Sequence, residues 1–253
     1  MRGWQKEDRD LRGWMETFLV CLFSFLSGTI HATVTSKVFL ADANTPLEQA
    51  DPNVPGVYRD IMVGTHLTII ISSDTGGEDW LGDLLIGEPY LGKGLLSARD
   101  YNDITTKDWQ GSRFPAAGKE ARVLYLPLMS WQGRMLEGFG LQASRDVEIM
   151  PGDWFILDYK AMEVGQCEVV LIDYGVSFYE PVSVHLFSHV PTRDFDKDGK
   201  VCLVDFARLA GVWKVEVSAD PNDPNPQYDL NSDGKVNVSD LRLFFGHWLD
   251  TAM

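Results

Sequence analysis

"DFDKDGKVCLVD" runs from Asp194 to Asp205, and "DLNSDGKVNVSD" runs from Asp229 to Asp240. The two stretches share the frame D-x-[DN]-x-D-G-K-V at one constant offset, 240 − 205 = 35 residues. A calcium ion takes six to eight oxygen ligands, and a twelve-residue loop supplies them from its places 1, 3, 5, 7, 9 and 12 around a glycine at place 6. In the first copy those places hold Asp194, Asp196, Asp198, the carbonyl of Lys200, Cys202 and Asp205, with Gly199 at the bend. In the second they hold Asp229, Asn231, Asp233, the carbonyl of Lys235, Asn237 and Asp240, with Gly234 at the bend. Acidic turns do form for reasons unrelated to metal, because Asp, Asn and Gly suit tight turns. That does not account for donors recurring at the same places in two copies. Two Ca²⁺ ions are expected, one per loop. Cys202 is left out of the ligand set, since a thiol is a poor ligand for a hard cation, and water or no ligand is expected at its place.

The duplication continues beyond the loops. "DFARLAGVW" (Asp205 to Trp213) aligns with "DLRLFFGHW" (Asp240 to Trp248) at the same offset. Apolar residues fall at helical spacing in both: Phe206, Leu209, Ala210 and Trp213, then Leu241, Phe244, Phe245 and Trp248. Each loop is therefore expected to feed a short amphipathic helix whose stripe packs on the other, with Val201 and Val236 joining from inside the loops. No helix is expected to enter either loop. "VSVHLFSHVPTR" alternates and ends near a proline, and "SADPNDPNPQY" carries three prolines.

Two calcium loops that end in Asp, each followed but not preceded by a helix, resemble a type I dockerin over about residues 192 to 250. The resemblance implies a small module that docks secreted bacterial proteins onto cohesin modules. It implies partner-reading residues at the loop ends: Leu203 with Val204, and Val238 with Ser239. The alternative is a purely structural role for calcium, with the module clasped against the chain's own upstream domain and no cohesin partner.

The chain has 253 residues, room for two domains and a leader. Its net charge of −15 argues against general attraction to nucleic acid or anionic membrane. Residues 191–253 hold eleven acidic against seven basic side chains, a net of −4 that two Ca²⁺ ions would cancel. Ion binding and folding of this segment are expected to be coupled, because the carboxylates of an empty loop repel one another.

At the amino terminus "FLVCLFSFLSG" (Phe18 to Gly28) has the length of a signal-peptide h-region and is too short to span a bilayer with ease. Residues 1–32 are read as signal peptide and leader, with cleavage after Ala32 and translation starting at Met1 or Met15. The protein is thus expected at the bacterial cell surface or outside the cell, with no stable membrane span after cleavage. Removal of the leader takes Cys21 with it. Cys167 and Cys202 then remain, either as one bridge between domains or as two free thiols.

Residues 33–190 read as a mainly β domain and residues 191–253 as the calcium-binding module. "THLTIIISSD" (Thr65 to Asp74), "ARVLYLPL" (Ala121 to Leu128), "DWFILDYKAMEV" (Asp153 to Val164) and "CEVVLIDYGVSFY" (Cys167 to Tyr179) are rich in β-branched and aromatic residues. Turn signals at Thr75-Gly76-Gly77, Pro151-Gly152-Asp153 and Val164-Gly165-Gln166 divide them. The expected fold is an antiparallel β-sandwich of about eight strands, followed by the small α-helical module. "MPGDWFILDYKAMEVGQCEVVLID" resembles the closing strands of cohesin-like and related carbohydrate-binding sandwiches. The joint of Pro191, Thr192 and Arg193 is short, so the module is expected to lean on the sandwich.

A glycoside hydrolase would need two carboxyl groups across a cleft. Asp79, Asp83, Glu137, Asp158 and Glu163 are available but stand in no recognisable pattern, and neither a G-x-S-x-G elbow nor an H-E-x-x-H helix occurs. His185 and His189 share one strand face without a third ligand. Trp80, Tyr90, Tyr101, Trp109, Trp131 and Trp154 are expected mainly in the core, the other use of such rings being a sugar-stacking platform. A loop site for polysaccharide, if present, is expected between Gly87 and Lys119. The leading reading is a secreted, non-catalytic, calcium-binding protein with a cohesin-docking module and a sandwich of binding or scaffold type. The alternative is a carbohydrate-active hydrolase or polysaccharide-binding protein.

Overall fold

The structure is a computed structural model and describes residues 34–41, 45–75, 80–98, 122–131, 133–143, 151–176, 181–218 and 225–249. The leader, Asp79, Tyr101, Trp109, the Gly76-Gly77 turn and the segment 99–121 lie outside the described residues, as does the side chain of Trp131.

Ten strands occur among the described residues. They are β1 (Val34–Leu40), β2 (Val57–Met62), β3 (His66–Ser73), β4 (Trp80–Gly87), β5 (Gly94–Ala98), β6 (Arg122–Trp131), β7 (Arg134–Ala143), β8 (Gly152–Ala161), β9 (Gly165–Asp173) and β10 (Ser183–Val190). One sheet has the order β1-β3-β8-β5 and the other β2-β10-β9-β4-β7-β6. A single core holds Ile69, Ile71, Leu157 and Tyr159 from the first sheet with Leu84, Phe139, Val169 and Phe187 from the second, so the sheets face each other as a sandwich. Burial alternates along β8 to β10 as it must when one face is inward.

Two features depart from expectation. The strands number ten rather than about eight, and β2 runs parallel to β10 while every other paired strand is antiparallel. β2, "VYRDIM", was hidden by its central Arg59-Asp60. As an edge strand it pairs on one side only, so it tolerates two adjacent exposed charges. β7 was hidden by glycines that read as turns. Gly138 is needed inside the strand, since a Cβ there would stand 2.1 Å from the Leu84 carbonyl oxygen.

Trp80 and Trp154 are buried in the core with ring centroids 5.7 Å apart, and Tyr90 packs against the same cluster. His185 and His189 are buried on β10, each with its own partner. His185 Nε2 lies 2.7 Å from Ser36 Oγ on β1 and so ties the two sheets. His189 Nε2 lies 2.8 Å from the Tyr159 hydroxyl, and its Nδ1 lies 2.8 Å from the Glu163 carbonyl oxygen. Cys167 and Cys202 are both free thiols, and burial pushes Cys167 up to about 11.

Past β10 the chain forms two helices, α1 (Leu203–Gly211) and α2 (Val238–Phe245), with a 3₁₀ turn at Pro226–Tyr228 before the second loop. Among the described residues no α-helix enters either loop. A second core holds Phe195, Val201, Leu209, Leu230, Val236 and Phe244. Phe206 of α1 meets Phe244 and Phe245 of α2 at 6.2 and 5.9 Å, so the two stripes pack on each other and both valines join in. The stripes are narrower than their spacing suggests, because Ala210, Trp213 and Phe245 are exposed. Met62 of β2 belongs to this second core, and Val190 of β10 packs against it.

Candidate metal centres

Both loops are folded by the same local bonds. In the first, Asp194 Oδ2 accepts from the Gly199 N–H at 2.9 Å and Oδ1 from Asp198 at 3.2 Å. Asp229 repeats this with Gly234 at 2.8 Å and Asp233 at 3.1 Å. Gly199 and Gly234 have φ of 88° and 85°, the left-handed turn that glycine adopts without penalty. Lys197 and Ser232, also one repeat apart, take φ of 64° and 57°. L residues hold such values only where surrounding bonds enforce them.

The last acidic place closes each loop onto its helix. Asp205 is fully buried and accepts from Phe195 N–H at 2.6 Å, Asp196 at 3.1 Å and Cys202 at 2.9 Å. Asp240 does the same with Leu230 at 2.8 Å, Asn231 at 3.3 Å and Asn237 at 2.7 Å. Each carboxylate sits at the third residue of its helix, where negative charge also suits the helix dipole. Place 9 caps each helix: Asn237 Oδ1 accepts from Ser239 N–H at 2.8 Å, and Cys202 Sγ accepts from Val204 N–H at 3.4 Å. The thiol thus serves a capping role at the place where it is a poor cation ligand.

Asp194, Asp196 and Asp198 bring one carboxylate oxygen each within 4.8 Å of one another. Burial raises the Asp194 carboxyl above its usual range, and the nearby charge of Asp205 adds to this, while the N–H groups of Gly199, Lys197 and Asp198 pull the other way. In the second loop the amide nitrogens of Asn231 and Asn237 donate to Asp233 Oδ2 at 2.9 and 3.3 Å. Those bonds, led by Asn231, hold the Asp233 carboxyl below its usual range. In the first loop, three converging hard carboxylate oxygens fit a calcium ion or a similar cation.

The residues proposed to read a partner lie on the first turns of the helices. Leu203, Val204 and Val238 are exposed, Leu203 by 70%, and Ser239 is half-buried. Of the five acids named as hydrolase candidates, Glu163 pairs with Lys93 at 2.7 Å, and Asp83 accepts from the Tyr174 hydroxyl. Burial pushes Asp83 up to about 6 against the lowering effect of that hydroxyl. The Asp83–Tyr174 bond was not legible in the sequence, which places the two 91 residues apart. Among the described residues no helix is long and apolar enough to cross a membrane.

Residues 192–244 match the family model of the Dockerin type I domain, so the C-terminal part of the chain carries such a domain. No curated protein matches the chain. Among solved structures, the chain is similar to a non-cellulosomal cohesin from the hyperthermophilic archaeon Archaeoglobus fulgidus, at 7% identity and a TM-score of 0.28. That likeness covers 63% of this chain and 94% of the cohesin.

Proposed function

We propose that this is a secreted, non-catalytic protein whose dockerin domain binds two Ca²⁺ ions and docks onto a cohesin module, with residues 33–190 as a binding or scaffold domain. The ligands are Asp194, Asp196, Asp198, the Lys200 carbonyl and Asp205 in the first loop. In the second they are Asp229, Asn231, Asp233, the Lys235 carbonyl, Asn237 and Asp240.

The supporting observation is the union of loop and helix in one carboxylate. Asp205 and Asp240 are the last acidic residues of their loops and also sit in the first turns of α1 and α2. Next to them Leu203, Val204 and Val238 stand in solvent, where apolar groups gain by docking. An ion that fixes the carboxylate fixes the turn that presents those side chains.

Isothermal titration of the full chain with calcium is expected to show two sites. Surface plasmon resonance against purified cohesin modules is expected to show binding in calcium that chelator abolishes. The double variant Leu203→Asp, Val204→Asp should bind calcium but lose the cohesin. No heat on titration would remove the metal assignment. Two filled sites with no cohesin bound would leave calcium in a purely structural role, a reading favoured by the placement of Met62 in the metal-loop core.

A further inference from the structure

Ile61 and Met62 are the last two residues of β2, and strand geometry sends neighbouring side chains to opposite faces. Ile61 is buried in the sandwich core, among residues that include Tyr58 and Phe187. Met62, 3% exposed, is buried in the other core with Phe195, Val201, Leu209, Leu230, Val236 and Phe244. Its register partner on β10, Val190, packs against that same core. Two of the core residues, Val201 and Val236, sit inside the metal loops themselves. The edge of the six-stranded sheet therefore supplies a buried side chain to a core whose shape depends on the loops.

Among the described residues β2 pairs with no strand but β10, and the register between them shifts between Phe187 and His189, just before the Ile61 and Met62 pairs. Beyond that ladder, the Ala50 N–H donates to the Val57 carbonyl at 2.8 Å and the Thr65 N–H to the Met62 carbonyl at 3.0 Å. Asp60, the residue before Ile61, has φ of 58°, a left-handed conformation that an L residue keeps only under constraint. The burial of Ile61 and Met62 on opposite sides supplies that constraint. Edge strands with few partners open first in native proteins, so loss of one anchor acts there before it acts on the central strands.

We propose that the calcium loops control the end of this edge strand: ion binding fixes Ile61-Met62 against both cores, and ion loss frees the C-terminal end of β2, with Met62 as the coupling residue. The cause is electrostatic at one end and packing at the other. Without a cation, the convergent carboxylates of Asp194, Asp196 and Asp198 repel, the loop that carries Val201 loosens, and the cover over Met62 is lost. The sandwich would then respond to calcium although its own strands need supply no ligand. This inference rests on the calcium assignment above and does not depend on a cohesin partner.

Hydrogen–deuterium exchange on the full chain, in calcium and in chelator, tests it. Chelation is expected to speed exchange in peptides covering Val57–Met62 by roughly tenfold or more, while β3 and β8 at the centre of the other sheet change little. Met62→Ala should make β2 exchange fast with or without calcium, and Met62→Leu, which keeps volume and apolarity, should restore the response. If Met62→Ala does not fold, the wild-type comparison and Met62→Leu still decide. Unchanged β2 protection in wild type on chelation, with calcium binding seen by titration, overturns the coupling and leaves the metal assignment standing. Absence of calcium binding overturns both.

Discussion

The backbone N–H of Leu249 donates to the carbonyl of Val201 at 3.0 Å, tying the turn after the second helix into the first acidic loop. Lys214, after the first helix, donates to Val236 in the second loop at 2.8 Å. The two bonds are one repeat apart at both ends, 249 − 214 = 35 and 236 − 201 = 35. Each repeat therefore closes the other's loop. Lys214 and Leu249 hold φ of 66° and 70° to do so.

From this exchange, Leu249→Pro should be costly. Proline lacks the N–H and cannot adopt a positive φ, so a loss of about 3 kcal/mol and weaker calcium binding at the first loop are expected. Leu249→Gly should be neutral or stabilising by roughly 0.5 kcal/mol, since the side chain is 71% exposed and glycine relieves the left-handed backbone. Thermal unfolding in excess calcium checks both.

Asp205 and Asp196 should separate folding from binding. Asp205→Ala removes a buried acceptor of three backbone N–H groups and should cost about 3 kcal/mol even in chelator, with loss of helical circular dichroism. Asp196→Ala removes a carboxylate that accepts only the Asp198 N–H at 3.2 Å. With one of three mutually repelling carboxylates gone, it should leave chelator-treated stability equal to wild type or up to about 0.5 kcal/mol higher, while lowering calcium affinity. Equal effects of the two variants in chelator would contradict this division.

Cys202→Asn should improve the first repeat by copying the second. The Asn237 oxygen caps α2 at 2.8 Å, whereas the Cys202 sulfur caps α1 at 3.4 Å. A gain of roughly 0.5–1 kcal/mol is expected from the better cap, with tighter calcium binding from the added oxygen donor. Denaturant titration and calorimetry measure the two gains separately.

Acid response should show two opposing groups. Burial lowers His185 from 6.5 to about 4, so between those values the unfolded chain takes up the proton first, and stability falls as pH falls. Burial raises Asp83 from 3.8 to about 6, so between those values the folded chain takes up the proton first, and stability rises as pH falls. Each effect is worth about 3 kcal/mol, so they largely cancel in wild type between pH 6 and 4. His189, also lowered by burial, adds to the His185 side. Asp83→Asn should steepen acid destabilisation, and His185→Gln should reverse it, in denaturant curves recorded in chelator to remove the metal contribution. Parallel profiles for the two variants would contradict the assignment.

The two acidic loops were legible because their candidate donors lie within twelve residues of one another, and the bend glycines and helix-closing aspartates fall where the spacing puts them. The core placement of Trp80 and Trp154 was likewise foreseeable from their size and strand setting. β2 and β7 were not legible. Arg59-Asp60 and the glycines of β7 look like loop residues until an edge position and a close backbone crossing explain them. The partners of His185 were not legible either, since Ser36 lies 149 residues away.

Sequence alone determined what short-range geometry can encode: two duplicated oxygen loops, the helices that follow them, the valines within them and a β-rich segment upstream. Tertiary structure decided what depends on distant strands meeting. It set β2 parallel to β10, bound Asp83 to Tyr174, crossed the two repeats through Leu249 and Lys214, and turned Met62 into the core of the dockerin domain. The physical reason is that a loop's ligands share one stretch of backbone, whereas a strand's neighbours are chosen by which apolar faces the whole chain can bury together.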